Sequence, residues 1–90
     1  MPNTIWKFIL DHMPEQIVPM PKNAVILSVQ VQNNKPCIWA LVDPSDLNEF
    51  RTFHIYGTGH PIREDAYLKY IGTYQLNNGD LVFHVFEEIK

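Results

Sequence analysis

Residues 24–44, AVILSVQVQNNKPCIWALVDP, constrain the fold more than any other stretch. Two apolar segments rich in β-branched residues flank a polar turn, which is the pattern of a β-hairpin. Along residues 24–32, Val25, Leu27, Val29 and Val31 fall on one face and Ser28, Gln30 and Gln32 on the other, so the first set is expected in the core. Asn33, Asn34 and Lys35 supply a turn that tolerates positive φ. In the return strand, residues 37–42, both alternation sets are apolar: Cys37, Trp39 and Leu41 against Ile38, Ala40 and Val42. That strand is expected to be central and covered on both sides, or covered on one side by a second subunit.

The flanking sequence continues the β pattern. Residues 4–10, TIWKFIL, read as a first strand in which only Lys7 is polar, so both faces are expected to be covered. Residues 15–20 are bracketed by Pro14, Pro19 and Pro21, and a strand short of N–H donors belongs at a sheet edge. A loop follows from Asp43 to about Glu49, with room for a single helical turn. Residues 50–56 form the next strand, with Phe53 and Ile55 on one face and Thr52, His54 and Tyr56 on the other. Residues 62–69 are charged and loop-like. Residues 70–76 and 81–87 make a second hairpin across Asn77-Asn78-Gly79-Asp80, where Asn-Gly adopts paired positive φ angles. The expected fold is all-β: one domain, a small antiparallel sandwich or partly open barrel of about seven strands with no long helix. A 90-residue chain buries a modest share of its surface, so a homo-oligomer is expected.

Charge and composition narrow the partners. The chain is 46% hydrophobic and carries a net charge of −3, with its seven Lys and Arg scattered singly. A duplex-DNA binder needs a clustered basic face, so none is expected here. The single cysteine, Cys37, excludes an internal disulfide, is expected as a small buried hydrophobe, and fits a reducing cytoplasm. No apolar run approaches the ~18 residues of a membrane span, and no leader pattern opens the chain, so no membrane partner is expected.

Two local patterns bear on chemistry. Phe53-His54-Ile55-Tyr56 and Phe83-His84-Val85-Phe86 echo each other, and their histidines could oppose as an acid/base pair or metal ligands. Two-histidine phosphoesterases place Thr or Ser two residues after each His, where this chain has Tyr56 and Phe86. The plainer reading, half-exposed sheet histidines, is preferred. No catalytic residue, metal ligand or cofactor is assigned. The second pattern, Tyr56-Gly57-Thr58-Gly59-His60-Pro61, resembles a short anion-binding loop: Gly59 brings backbone N–H groups close, Thr58 and His60 donate, and Tyr56 stacks. Arg51 and Arg63 would pair with the ligand's charge, and Trp6 or Trp39 would stack on it. Against this, Pro61 and Ile62 open no helix to supply a field, so a tight turn with positive-φ glycines is the plainer alternative.

Taken together, Thr4-Ile5-Trp6-Lys7, the proline-bracketed residues 15–20, Ile26-Leu27-Ser28-Val29-Gln30, Trp39-Ala40-Leu41-Val42-Asp43-Pro44, Tyr56-Gly57-Thr58-Gly59-His60-Pro61-Ile62 and Tyr70-Ile71-Gly72-Thr73 make the chain similar to a family of short proteins from tailed phages and prophages. The resemblance implies a phage-encoded protein working in the host bacterial cytoplasm, and it brings no catalytic residues. The expected function is non-enzymatic binding in host takeover or counter-defence, through sequestration of a small anionic, nucleotide-like signal at an oligomer interface. The alternative is an inhibitor or assembly factor that meets a host or phage protein through the acidic loop and exposed aromatics. A small hydrolase or nuclease is the weakest reading, because no nucleophile, metal set or acidic pair converges in sequence.

Overall fold

The computed structural model describes residues 3–89. Its seven strands form two antiparallel sheets. β1 (Thr4–Ile9), β4 (Lys35–Val42) and β3 (Val25–Gln32) make a three-stranded sheet in the order β1-β4-β3. β2 (Glu15–Pro21), β5 (Asn48–Gly57), β7 (Leu81–Ile89) and β6 (Tyr67–Leu76) make a four-stranded sheet in the order β2-β5-β7-β6. Both sheets feed one apolar core. Val29, Ile38, Ala40 and Val42 come from the first, and Met20, Phe53, Ile55, Tyr74 and Val85 from the second. The architecture is therefore the expected all-β sandwich. The layers touch where β3 meets β6: a Cβ on Gly72 would lie 2.5 Å from Val29 Cγ1, so glycine is what lets them close.

Both hairpins form where turn chemistry places them. Asn33 and Asn34 (φ 53° and 63°) join β3 to β4, and Asn77, Asn78 and Gly79 (φ 52°, 56° and 93°) join β6 to β7. Asparagine and glycine adopt this region at low steric cost. β4 is central, with Ile38, Ala40 and Val42 buried inward, Cys37 also buried, and Trp39 and Leu41 half-buried on the outward side. The proline-bracketed β2 is an edge strand, as its missing donors require.

Four expectations need correction. A β-bulge between Ile26 and Ser28 inserts Leu27 and reverses the alternation of β3. Ile26 and Val29 then lie opposite the inward Ala40 and Ile38, while Val25 joins Leu41 on the outer face, and Val25, Leu27 and Val31 are exposed instead of core. β1 is not covered on both faces. It has β4 on one side only, and Ile5, Trp6 and Ile9 are exposed. The loop after β4 is a plain turn in which the Asp46 N–H donates to the Asp43 carbonyl (3.0 Å), and β5 begins at Asn48. The charged loop is also shorter than expected, since β6 begins at Tyr67.

Candidate functional site

The Gly-Thr-Gly-His segment is a β-turn at the end of β5. The His60 N–H donates to the Gly57 carbonyl (3.1 Å), and Gly59 takes φ 87°. Gly59 is the one positive-φ glycine of this turn. Gly57 makes room for the His60 ring, which packs against it: a Cβ there would sit 3.0 Å from the ring's Cε1. The Thr58 N–H donates to the Val82 carbonyl (3.2 Å). Two of the N–H groups expected to face an anion are thus committed to the turn and to β7.

On the outward face of the four-stranded sheet, β5, β7 and β6 carry Tyr56, His84 and Thr73 in register. His84 Nε2 lies 2.7 Å from Thr58 Oγ1, His84 Nδ1 2.9 Å from Thr73 Oγ1, and Tyr70 OH 2.6 Å from Thr73 Oγ1. One sense satisfies every group. Tyr70 donates to Thr73, Thr73 to Nδ1, Nε2–H to Thr58, and Thr58 to the Val82 carbonyl at 3.4 Å. The opposite sense, with Nε2 as base toward Thr58, is the one nucleophilic catalysis needs. Behind the imidazole in that sense stand only the hydroxyls of Thr73 and Tyr70, and a hydroxyl gives an imidazolium far less support than a carboxylate.

His54 occupies the next outward position of β5, opposite Phe86 and not opposite His84. It is 2% exposed, a correction to the half-exposed reading, whereas His84 is half-buried as expected. Its Nε2 lies 2.9 Å from Glu88 Oε1, and its ring stacks on Tyr56 at 6.2 Å. Glu15 lies 3.9 Å from His54 Nδ1, and Arg63 reaches across both acids, 3.5 Å from Glu15 and 3.7 Å from Glu88, and is held in a two-pronged pair with Asp65 (2.9 and 3.2 Å). That pairing holds the Asp65 carboxyl below the usual carboxylate range. Three carboxylates already surround Arg63.

The other sequence-selected residues do not converge. Arg51 lies on the inward side of β5, where its guanidinium donates to both oxygens of Glu87 and, at 2.6 Å, to the Ala24 carbonyl. It is a core-edge ion pair on the opposite face from Tyr56. Trp39 faces outward on the three-stranded sheet with the Lys7 ammonium 5.9 Å from its ring centroid. Trp6, one residue before Lys7 on β1, faces the other side. Of the eight, Tyr56, Thr58, Gly59, His60 and Arg63 gather around the turn, and Arg51, Trp6 and Trp39 stand apart.

The turn does border a cavity. Between the β1–β2 loop and the inward face of the four-stranded sheet lies an apolar pocket of about 420 Å3, lined by Met13, Ile55, Tyr74, Leu81, Phe83 and the edge of Gly57 among others, with His12 and His60 at its wall. Tyr74 and Phe83 stack at 5.3 Å between centroids. Gln16 shapes the loop side: its amide donates to the Asp11 carbonyl (2.8 Å) and its oxygen accepts the Asp11 N–H (2.9 Å). His12 is fully engaged. Its Nε2 donates to the Asn34 carbonyl (3.1 Å), which leaves Nδ1 to accept from Tyr74 OH (3.5 Å). The His60 imidazole makes no hydrogen bond among the described residues and is exposed at the rim. Burial pushes the Tyr74 phenol up to about 12.

None of His12, Tyr74 and Phe83 was among the site residues selected from the sequence. A signal existed for two of them, because counting outward from the Asn-Gly turn pairs Leu76 with Leu81, Gln75 with Val82 and Tyr74 with Phe83. His12 comes from a distant loop that no local pattern connects to them. Among the described residues no group of three or more His, Cys, Asp or Glu is placed to hold a metal ion, and no helix is long and apolar enough to cross a membrane. A family model described as a domain of unknown function, DUF7352, matches residues 1–90. Neither the curated proteins nor the solved structures contain a match to the chain.

Proposed function

The chain belongs to the DUF7352 family, and from its own residues we propose that it is a non-enzymatic binding protein that captures a small, flat, nucleotide-like ligand in the apolar pocket. The observation that carries this reading is a pocket of about 420 Å3 with one unengaged histidine, His60, at its edge. That volume falls within the ~300–1,000 Å3 typical of small-molecule sites. A ring enters against Tyr74 and Phe83, and an oxyanion at the mouth meets the free imidazole of His60. Stacking a base on an aromatic side chain contributes about 1–3 kcal/mol. The stacking role first given to Trp6 and Trp39 passes to Tyr74 and Phe83, and the pocket lies within one chain. The resemblance to phage and prophage proteins supports a role in a phage-infected bacterial cytoplasm, where capturing a host nucleotide signal would serve counter-defence.

Calorimetric titration with mono-, di- and cyclic dinucleotides tests this. One class should bind with a Kd well below ~1 mM, and His60→Ala should weaken it about tenfold, or ~1.4 kcal/mol, without unfolding the protein. Absence of binding across the panel, or an unchanged Kd in His60→Ala, overturns the reading. One observation favours a second reading, docking to a protein: on the acidic loop into β5, Leu47 is 79% and Phe50 69% exposed beside Asp46 and Glu49. Capture of one stoichiometric host protein that is lost in Leu47→Asp would support that reading instead.

A further inference from the structure

The sandwich has four strand edges, and three are managed. β2 carries Pro19 and Pro21, which cannot donate to a neighbour, and β3 and β6 lie against each other with a bulge in each. β1 is different. It has no proline and no bulge, and its only ladder is with β4. Its sequence is that of a central strand, apolar on both faces, yet Ile5, Trp6 and Ile9 stand exposed. An unprotected edge of this kind is a template for another strand.

We propose that two copies of this chain associate through the free edge of β1, pairing antiparallel about a twofold axis at Trp6 to join their three-stranded sheets into one six-stranded sheet. Two features select a second copy and this register. Opposed residues must share a face, so the twofold passes through a residue, and the greatest overlap of the six-residue strand puts it at Trp6 or Lys7. Centring on Lys7 sets two ammonium groups opposite each other, which destabilises a pair. Centring on Trp6 sets Trp6 against the partner's Trp6, Ile5 against the stem of the partner's Lys7 and Thr4 against the partner's Phe8, with no like charges opposed.

Lys7 also excludes the competing geometry, in which the apolar outer faces of the three-stranded sheets would pack together. It stands on that face opposite Trp39 in register, and its ammonium donates to Gln32 Oε1 at 2.6 Å. Face-to-face packing would bury a charge whose polar partner is one neutral amide. Edge pairing leaves Lys7 in water.

Sedimentation equilibrium of the intact protein and oxidative cross-linking of single-cysteine-addition variants test the proposal; the native Cys37 is buried and does not compete. Wild type should sediment at twice the chain mass. Trp6→Glu should raise the dimer dissociation constant at least about tenfold while its far-ultraviolet β signal is kept. Trp6→Cys should cross-link to a dimer and Lys7→Cys should not, since opposed strand residues lie within disulfide reach. A monomer at all concentrations, a dimer indifferent to Trp6→Glu, or cross-linking at position 7 but not at 6 overturns it. The surface is separate from the pocket, so ligand binding stands or falls independently.

Discussion

At Gly72 and Arg51 single side chains decide how the two layers close. Gly72→Ala forces a methyl into Val29, and because Val29 is buried beneath the half-buried Gly72 the two strands must move apart; we expect a loss of about 1–3 kcal/mol in urea unfolding. Arg51 and Glu87 seal the core edge, and their side chains are only 16% and 7% exposed. Arg51→Met alone leaves Glu87 buried without its partner and should cost about 3–5 kcal/mol, most of it recovered in Arg51→Met with Glu87→Leu. Alternation along β5 does put Arg51 with Phe53 and Ile55, so its inward placement was legible in the sequence; its partner was not, because Glu87 is brought to it by strand pairing. Tyr74 gives a pH signature. Burial raises its phenol to about 12 from an ordinary value near 10, so the folded state holds a proton that the unfolded state releases first. The contribution is present below pH ~10 and is lost as pH rises toward 12. In ultraviolet titration the step near pH 12 should vanish in Tyr74→Phe.

Individual elements were legible where local chemistry sets them. Asn33-Asn34 and Asn77-Asn78-Gly79 announce their hairpins, and the prolines of β2 announce an edge. The bulge at Leu27 was not legible, because alternating Val25, Leu27, Val29 and Val31 is equally good for an unbroken strand; the bulge is settled by which residues meet β4 and β6. The turn after β5 shows the same division. Its tightness is written in Gly59, but that the Thr58 N–H folds back on Val82 and the Thr58 hydroxyl meets His84 depends on where β7 lies. Thr73→Val removes the donor to His84 Nδ1 and should free that nitrogen. We expect a changed tautomer balance in the His84 nitrogen NMR shifts and a stability loss of about 0.5–1.5 kcal/mol.

The whole molecule was legible as a class: short strands, regular turns and a shared apolar pattern lead to a two-layer all-β sandwich. The pocket was not, because it is assembled from four separate segments: the β1–β2 loop, β5, β6 and β7. Only Gly57 and His60 of its lining lie in the motif that stood out in the sequence. If the protein captures a ligand, this pocket is where it lies. Native mass spectrometry of the protein recovered from phage-infected bacteria tests it most directly, alongside Leu81→Trp, which fills the pocket from its half-exposed wall. Wild type should carry one added small-molecule mass per chain, and Leu81→Trp should show the bare chain mass. Bare chains in both, or an added mass that survives in the filled variant, would contradict ligand capture there.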